Sequence, residues 1–441
     1  MGLFLNFEPA LRRNLAIFFA ASLCFWAGLA GMLPNLSLYI ESFGASNQEI
    51  GWVMAAFAIG LLGFRPKMSR FTDRAGRKPA LLIGVSVIAI APLLYLSVSA
   101  VPNLMLHIPG TNWQIGTAVL LLGVTRAFHG ISIAAFATAY SAVIADMAPP
   151  QHRGELIGYM SLATPIGMAI GPALGGYLEA SFSLAFLTMT ALGMVGTLCV
   201  LASQEPPRAN AIAPASVTAA TADRPIGNHQ PRRSPVFWRL LFTPPIRVPA
   251  LILFMVGIAF GSMVAFVPLY VRQAGIDINI GLIYTVSALA SFSIRAIAGR
   301  ASDKLGRGRF ISLGLIFYTL AMLTLTLANT APMLLLAGIL QGAGGGTLIP
   351  IIAALMTDRS RPHERGLTFG LCLTGFDLGI ALAGPVMGQL ADANNSYTLV
   401  FALAGIMTFL GLIIFITASS KDLIHSIHFA LNDGRDVYAI K

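Results

Sequence analysis

The chain has 441 residues, 56% of them hydrophobic and only 10% charged, with a mean hydropathy of +0.77. Soluble globular domains carry about 25% charged residues, so water cannot be the solvent for most of this surface. The net charge of +10 does not mark a nucleic-acid binder, because all 28 Lys and Arg except Arg126, Arg272 and Arg295 lie before the first apolar stretch, in alternate loops and their flanks, or in the tail.

Apolar stretches of about 20 residues, the length that crosses a hydrocarbon core of roughly 30 Å, recur along the chain. The spans are expected at 14–40, 48–68, 79–100, 115–145, 153–179 and 183–203, then at 247–271, 279–299, 309–329, 331–357, 365–391 and 396–419. Their continuous apolarity predicts helices, since barrel strands alternate and are half as long. The basic loops all fall on one side, which predicts a multi-pass protein of the plasma or inner membrane with both termini in the cytoplasm. The other side carries mainly Glu41, Glu49, Glu179 and Asp392. Arg12-Arg13 precede a run too long for a cleaved signal, so the first span is expected to stay.

In chain order, the first span offers Trp26, Asn35 beside Pro34, and Tyr39. The loop after span two then reads Arg65, Ser69, Asp73, Arg74, Gly76, Arg77, Lys78. Gly76 gives this short reversal a freedom that a Cβ would restrict. Its lone carboxylate can pair with Arg or cap a helix N-terminus. Span four contains Arg126 and, one turn on, His129; a charge inside a span is costly enough to need a reason. Span five has glycines at 167, 171 and 175 on one helix face, with Pro172 and Gly176 beside them, a pattern that lets helices touch closely. Residues 204–246, rich in Ala, Pro, Thr and Arg, cannot pack a core and are expected to be a cytoplasmic linker; its Phe237-Trp238-Arg239-Leu240-Leu241 stretch can lie on the membrane surface.

The second half repeats the first. Span seven carries Phe260 and Met263, which can line an adaptable cavity or face lipid. The loop after span eight reads Arg295, Gly299, Asp303, Lys304, Gly306, Arg307, with the same spacing as the first copy. Asp146 precedes Arg153-Gly154 as Asp358 precedes Arg365-Gly366, and Gly171-Pro172 matches Gly384-Pro385. The halves differ in length only by extra residues around Leu104–Ile115, and an indel confined to a loop supports duplication. In this alignment Arg126 meets Gly338 and His129 meets Gln341. Asp377 in span eleven is the one acid deep within a span, a functional hypothesis by default. Cys24, Cys199 and Cys372 lie in spans without paired spacing, so free thiols are expected rather than a disulfide or a metal site. These features predict a bundle of residues 1–203, a linker of 204–246, a second bundle of 247–420 and a cytoplasmic tail of 421–441.

The Asp-Arg-x-Gly-Arg-Lys loop, written twice, resembles the signature of the major facilitator superfamily, and the resemblance covers residues 14–420. The run Leu122 to Gly130 resembles that family's fourth-span Arg-x-x-x-Gly motif. Gly167 to Gly176 looks like the fifth-span antiporter motif. Together they resemble the twelve-span drug:proton antiporter group. The resemblance implies an all-α fold of two pseudo-symmetric six-helix bundles. It implies a conformational latch at Asp73, with Arg65, Arg74, Gly76 and Arg77, and a weaker partner at Asp303, with Arg295, Gly299 and Arg307. It also implies that Arg126 tunes a proton site or meets an anionic substrate group; a structural ion pair is the plain alternative. His129 either titrates or is simply hydrogen-bonded within the bundle.

The expected function is proton-driven export of small lipophilic or amphiphilic molecules by alternating access, with no enzyme activity and no cofactor or metal beyond the proton gradient. Proton coupling falls to Asp377, Arg126 and His129. The substrate cavity falls to Trp26, Asn35, Tyr39, Phe260, Met263 and Gln341. The expected partners are a small-molecule substrate, protons and lipid, and the chain is expected to be a monomer. An uptake symporter of the same fold, or a non-transporting sensor, remains the alternative. ATP drive is disfavoured because no Gly-x-x-x-x-Gly-Lys-Ser/Thr loop occurs.

Overall fold

The structure, a computed structural model, describes residues 8–107, 114–149, 152–205, 239, 241–361, 364–431 and 436–440. Among these residues, twelve helices are long and apolar enough to cross a membrane. They are Pro9–Ala30, Asn47–Ala75, Arg77–Val98, Thr117–Met147, Glu155–Tyr177 and Phe182–Ala202 in the first half. In the second half they are Pro244–Gln273, Ile280–Leu305, Arg307–Leu327, Ala331–Asp358, Thr368–Asn394 and Tyr397–Ala418. Each overlaps an expected span, because burial in lipid leaves a long apolar run no alternative to satisfying its backbone internally. Helix one stops ten residues early, and helices two and eight run seven and six residues further than expected. The expected linker lies mostly outside the described residues, as do Phe237, Trp238 and Leu240. Its last residues are helical, since span seven already begins at Pro244.

Two breaks follow from proline. Pro34 has no N–H for the carbonyl of Ala30, so span one ends there and the chain resumes as a short helix, Leu36–Glu41. Pro165 does the same to Ser161, and span five divides into Arg153–Ser161 and Ala163–Tyr177. The duplicated loop is a one-residue hinge in both halves. Gly76 joins spans two and three at φ 114°, and Gly306 joins spans eight and nine at φ 94°. Only glycine holds such angles without strain.

The extra residues between spans three and four are not a plain loop. They include an antiparallel pair, β1 (Met105–His107) and β2 (Gln114–Gly116), with His107 opposite Gln114. Alternation over three residues is too short to be read from sequence.

The C-terminal tail is docked rather than free. Helix Leu423–Leu431 packs on spans nine and twelve, and a Cβ on Gly308 would lie 1.9 Å from the carbonyl of Phe429. Arg359, with its side chain 1% exposed, pins the tail: it donates to Asp436 at 2.7 and 3.0 Å, to the Pro245 carbonyl at 2.7 Å and to the Ser419 carbonyl at 3.3 Å. One guanidinium thus ties span ten, the start of span seven, the end of span twelve and the tail. Arg359→Ala is expected to lower stability by about 3 kcal/mol, because it strands a carboxylate only 11% exposed and two carbonyls. A thermal melt of the purified protein measures this against Lys421→Ala, an exposed site expected to change it little.

Candidate functional site

The two halves meet along spans two and eleven and along spans five and eight. On the face away from the termini they are in backbone contact. A Cβ on Gly51 would stand 2.0 Å from the carbonyl oxygen of Gly384, and one on Gly281 would stand 1.8 Å from that of Pro172. A Cβ on Gly388 would lie 2.3 Å from the carbonyl oxygen of Asn47. Toward the terminal face the helices part: Gly158, Gly299 and Gly370 of spans five, eight and eleven have no such neighbour within 4 Å.

Polar contacts reinforce the closed face. The Asp392 carboxylate, from span eleven, accepts from the backbone N–H of Asn47 at 3.0 Å and of Gln48 at 2.9 Å, and from the Asn47 side chain at 2.8 Å. It therefore caps the positive end of span two from the other half. Arg272 pairs with Glu41, again across the halves. Asp392→Ala is expected to weaken this seal by about 1–2 kcal/mol. Spin-label distances across that face would then show a roughly five- to thirtyfold larger open population.

Between the parted ends lies a cavity of about 450 Å³, within the range of small-molecule sites. Its apolar wall includes Trp26, Met54 and Phe57 from the first half and Phe260, Met263 and Phe376 from the second. Four charged side chains line it: Arg65, Arg126, Arg295 and Asp377. Arg65 Nη1 meets Asp377 Oδ2 at 2.7 Å, with side chains 34% and 8% exposed. This ion pair joins span two of one half to span eleven of the other, on the side where the helices have otherwise separated.

Arg126 is buried, stacked with its guanidinium 4.5 Å from the centre of the Phe57 ring, and its Nε has no hydrogen-bond partner among the described residues. His129 sits behind it, outside the lining. Its Nδ1 is 3.4 Å from both Arg126 Nη1 and Tyr95 Oη, while its Nε2 is unpartnered among the described residues. A nitrogen facing an arginine N–H must accept, so this geometry is that of a neutral imidazole. Gln341 reaches the cavity too, donating to Tyr318 Oη at 3.1 Å and accepting from Ser287.

The structure thus brings Trp26, Phe260, Met263 and Gln341 to one cavity with Arg126 and Asp377. Asn35 and Tyr39 lie elsewhere. Asn35 is fully buried and donates to the Gly175 carbonyl at 2.8 Å, and Tyr39 packs on Phe43, Phe182 and Phe186 while donating to the Tyr95 carbonyl. Both hold the first half together.

The expected latch residues make their contacts within each half. Asp73 pairs with Arg77 at 3.1 Å, and Arg77 reaches Asp146 at 3.2 Å; Asp303 pairs with Arg307 at 3.1 Å, and Arg307 binds Asp358. Arg74 and Gly299 are exposed beside them. Arg65 and Arg295, two turns earlier on their helices, belong to the cavity instead. The fifth-span motif serves two seams: Gly167, Gly171 and Gly175 face span one, whereas Gly176 and the Pro172 carbonyl face Asn279 and Gly281 across the halves. Phe57, Ser287 and Tyr318 are not singled out by sequence, and Asp392 stands there only as one acid of the opposite side. A polar residue inside an apolar span was the signal available for Tyr318 and Ser287; Asp392 and Phe57 gave none.

A family model described as the Major Facilitator Superfamily matches residues 18–300 and 277–427. The chain is 26% identical over 401 residues to the multi-drug resistance efflux pump PmrA homolog of Lactococcus lactis subsp. lactis, with 88% of this chain and 90% of that one covered. It is 27% identical over 406 residues to multidrug resistance protein MdtG of Klebsiella pneumoniae, with 88% and 89% covered. Among solved structures, the inward open conformation of the xylose transporter XylE from E. coli superposes with a TM-score of 0.68 at 14% identity, covering 93% of this chain and 97% of that one, which is a likeness of fold.

Proposed function

The chain belongs to the major facilitator superfamily and is a multi-pass membrane transporter, not an enzyme; from that premise we propose that it exports small organic molecules in exchange for protons. The basic loops support a cytoplasmic location for the face carrying both termini, and on that reading the present conformation loads substrate from inside the cell. The gradient of protons is the energy source. The names of the curated relatives and the small-residue motif of span five support export and antiport.

The observation that carries proton coupling is the Arg65–Asp377 pair. It is a carboxylate in the cavity wall, inside the membrane, neutralised by a cation from the other half. Protonation cancels that charge and unties span two from span eleven, so proton occupancy and the relation of the halves are linked. A ligand shifts a two-state equilibrium only through such a difference between the states. In the inward-open state the carboxylate is ionised and paired, as it is after a proton has been delivered to the cytoplasm. Substrate then binds, the halves rock, and a proton entering from outside resets the cycle.

The test is transport in proteoliposomes with imposed pH gradients across a panel of lipophilic compounds. Outward movement that follows the inward proton gradient is expected for at least one compound. Movement independent of the gradient for every transported compound would defeat the proposal, and movement of substrate together with the proton would make the protein a symporter.

A further inference from the structure

The cavity carries three arginines and one carboxylate, and the carboxylate is already taken by Arg65. The remaining pair has no such partner among the described residues. Arg126 is 5% exposed, lies against the face of Phe57, and leaves its Nε without an acceptor. A buried cation in this condition costs free energy until an anion arrives.

Arg295 has a different origin. In the duplicated loop it is the counterpart of Arg65, eight residues before its Asp. The partner of Arg65 is Asp377, and the corresponding position in span five can be found from either end. Counting from the arginines that open the spans gives Pro165; counting back from the matched Gly-Pro pairs gives Thr164. Both residues line the cavity and neither has a charge. The repeat therefore builds its inter-half ion pair once in full and once with the cation alone.

We infer that the two unmatched arginines form an anion subsite, and that the cavity takes amphiphilic organic anions: a carboxylate, sulfonate or phosphonate head on Arg126 and Arg295 with an apolar body on the Trp26, Met54, Phe260 and Phe376 wall. The inference rests on the transport reading and names its substrate class. Guanidinium groups suit such heads because they offer paired donors to an oxyanion. Arg126 belongs to span four and Arg295 to span eight, so one bound anion touches both halves and supplies the missing charge at the place where Asp377 supplies it in the other seam.

The test uses three probes with one ring system: 2-naphthylacetate, its methyl ester, and (2-naphthylmethyl)trimethylammonium. Binding to the purified full chain in neutral detergent is followed by calorimetry. The anion is expected to bind about tenfold or more tightly than the ester. Arg295→Gln is expected to erase that preference while leaving the ester unchanged, and Arg295→Lys to keep most of it. Arg126→Gln should act likewise; if it fails to fold, the Arg295 pair decides, because that side chain is exposed to the cavity and not part of the packing. Ester or ammonium binding as tight as the anion's, or Arg295→Gln binding the anion like the parent, overturns the subsite. Anion binding without movement in proteoliposomes defeats the transport reading and leaves the subsite standing. Gradient-driven export of the ammonium probe with no anion binding does the reverse.

Discussion

Asp377→Asn is expected to reduce gradient-driven export to the level of empty vesicles while the protein still folds and inserts. Asn keeps the shape of the side chain and its hydrogen-bonding edge, but it can neither release a proton nor neutralise Arg65. The fold survives because the guanidinium left behind is 34% exposed toward the cavity, so water replaces much of what the carboxylate gave. For the same reason the pair contributes less than a fully buried one, about 1–2 kcal/mol. That still changes the ratio of the two conformations about five- to thirtyfold. Spin-label distances across the terminal face would read the shift, and a double-mutant cycle with Arg65→Gln would isolate the pairwise part. Export by Asp377→Asn that responds to the pH gradient as the parent does would remove this residue as the proton carrier.

Gly51→Val should hold the protein away from the conformation described here. The new Cβ would meet the carbonyl oxygen of Gly384 at 2.0 Å and its carbon at 2.3 Å. Both belong to backbone, which can only move if spans two and eleven separate. Overpacking a well-filled contact costs about 1–3 kcal/mol even where side chains can yield, so the closed face should lose about tenfold or more in population. Gly370 provides the opposite case on the facing helix, two turns before Asp377. With no such neighbour within 4 Å, Gly370→Val is expected to leave this conformation intact and to resist closure of the terminal face instead. Opposite shifts in label distances for the two variants, with transport impaired in both, are the expected result; the same shift from both would contradict rocking about these seams.

The sequence was most legible where one physical constraint dominated. Span positions followed from the requirement that a backbone in lipid bond to itself, and the helix reversals at Gly76 and Gly306 from the need for positive φ. Asp377 and Arg126 were visible because a charge inside an apolar run is rare and needs a reason. Less legible were residues whose part depends on a partner distant in the chain. Asp392 was one more acid in a loop, yet it caps span two from the other half. For Asp73 the sequence leaves two local options, an Arg partner or a helix cap, and the structure takes the first, with Arg77 four residues on. Asn35 and Tyr39 had the polarity and aromaticity of cavity residues, but their hydrogen bonds run to Gly175 and Tyr95 inside the first half. The docking of the tail is not legible in the sequence, because its anchor, Arg359, is one basic residue in a basic loop until its neighbours are known.

By itself the sequence determined that this chain is a duplicated twelve-span bundle, that its halves share a hinge loop, and which residues break the symmetry. These are local properties, set by hydropathy, backbone stereochemistry and the cost of charge in hydrocarbon, and each is legible within one span or one repeat. Only the tertiary structure decided that Arg65 and Asp377 form a pair, that Arg126 and Arg295 have no carboxylate partner among the described residues, and that the halves are sealed on one face and parted on the other. Those facts depend on which helix lies beside which, and on a rigid-body relation between halves that packs the same sequence in more than one way.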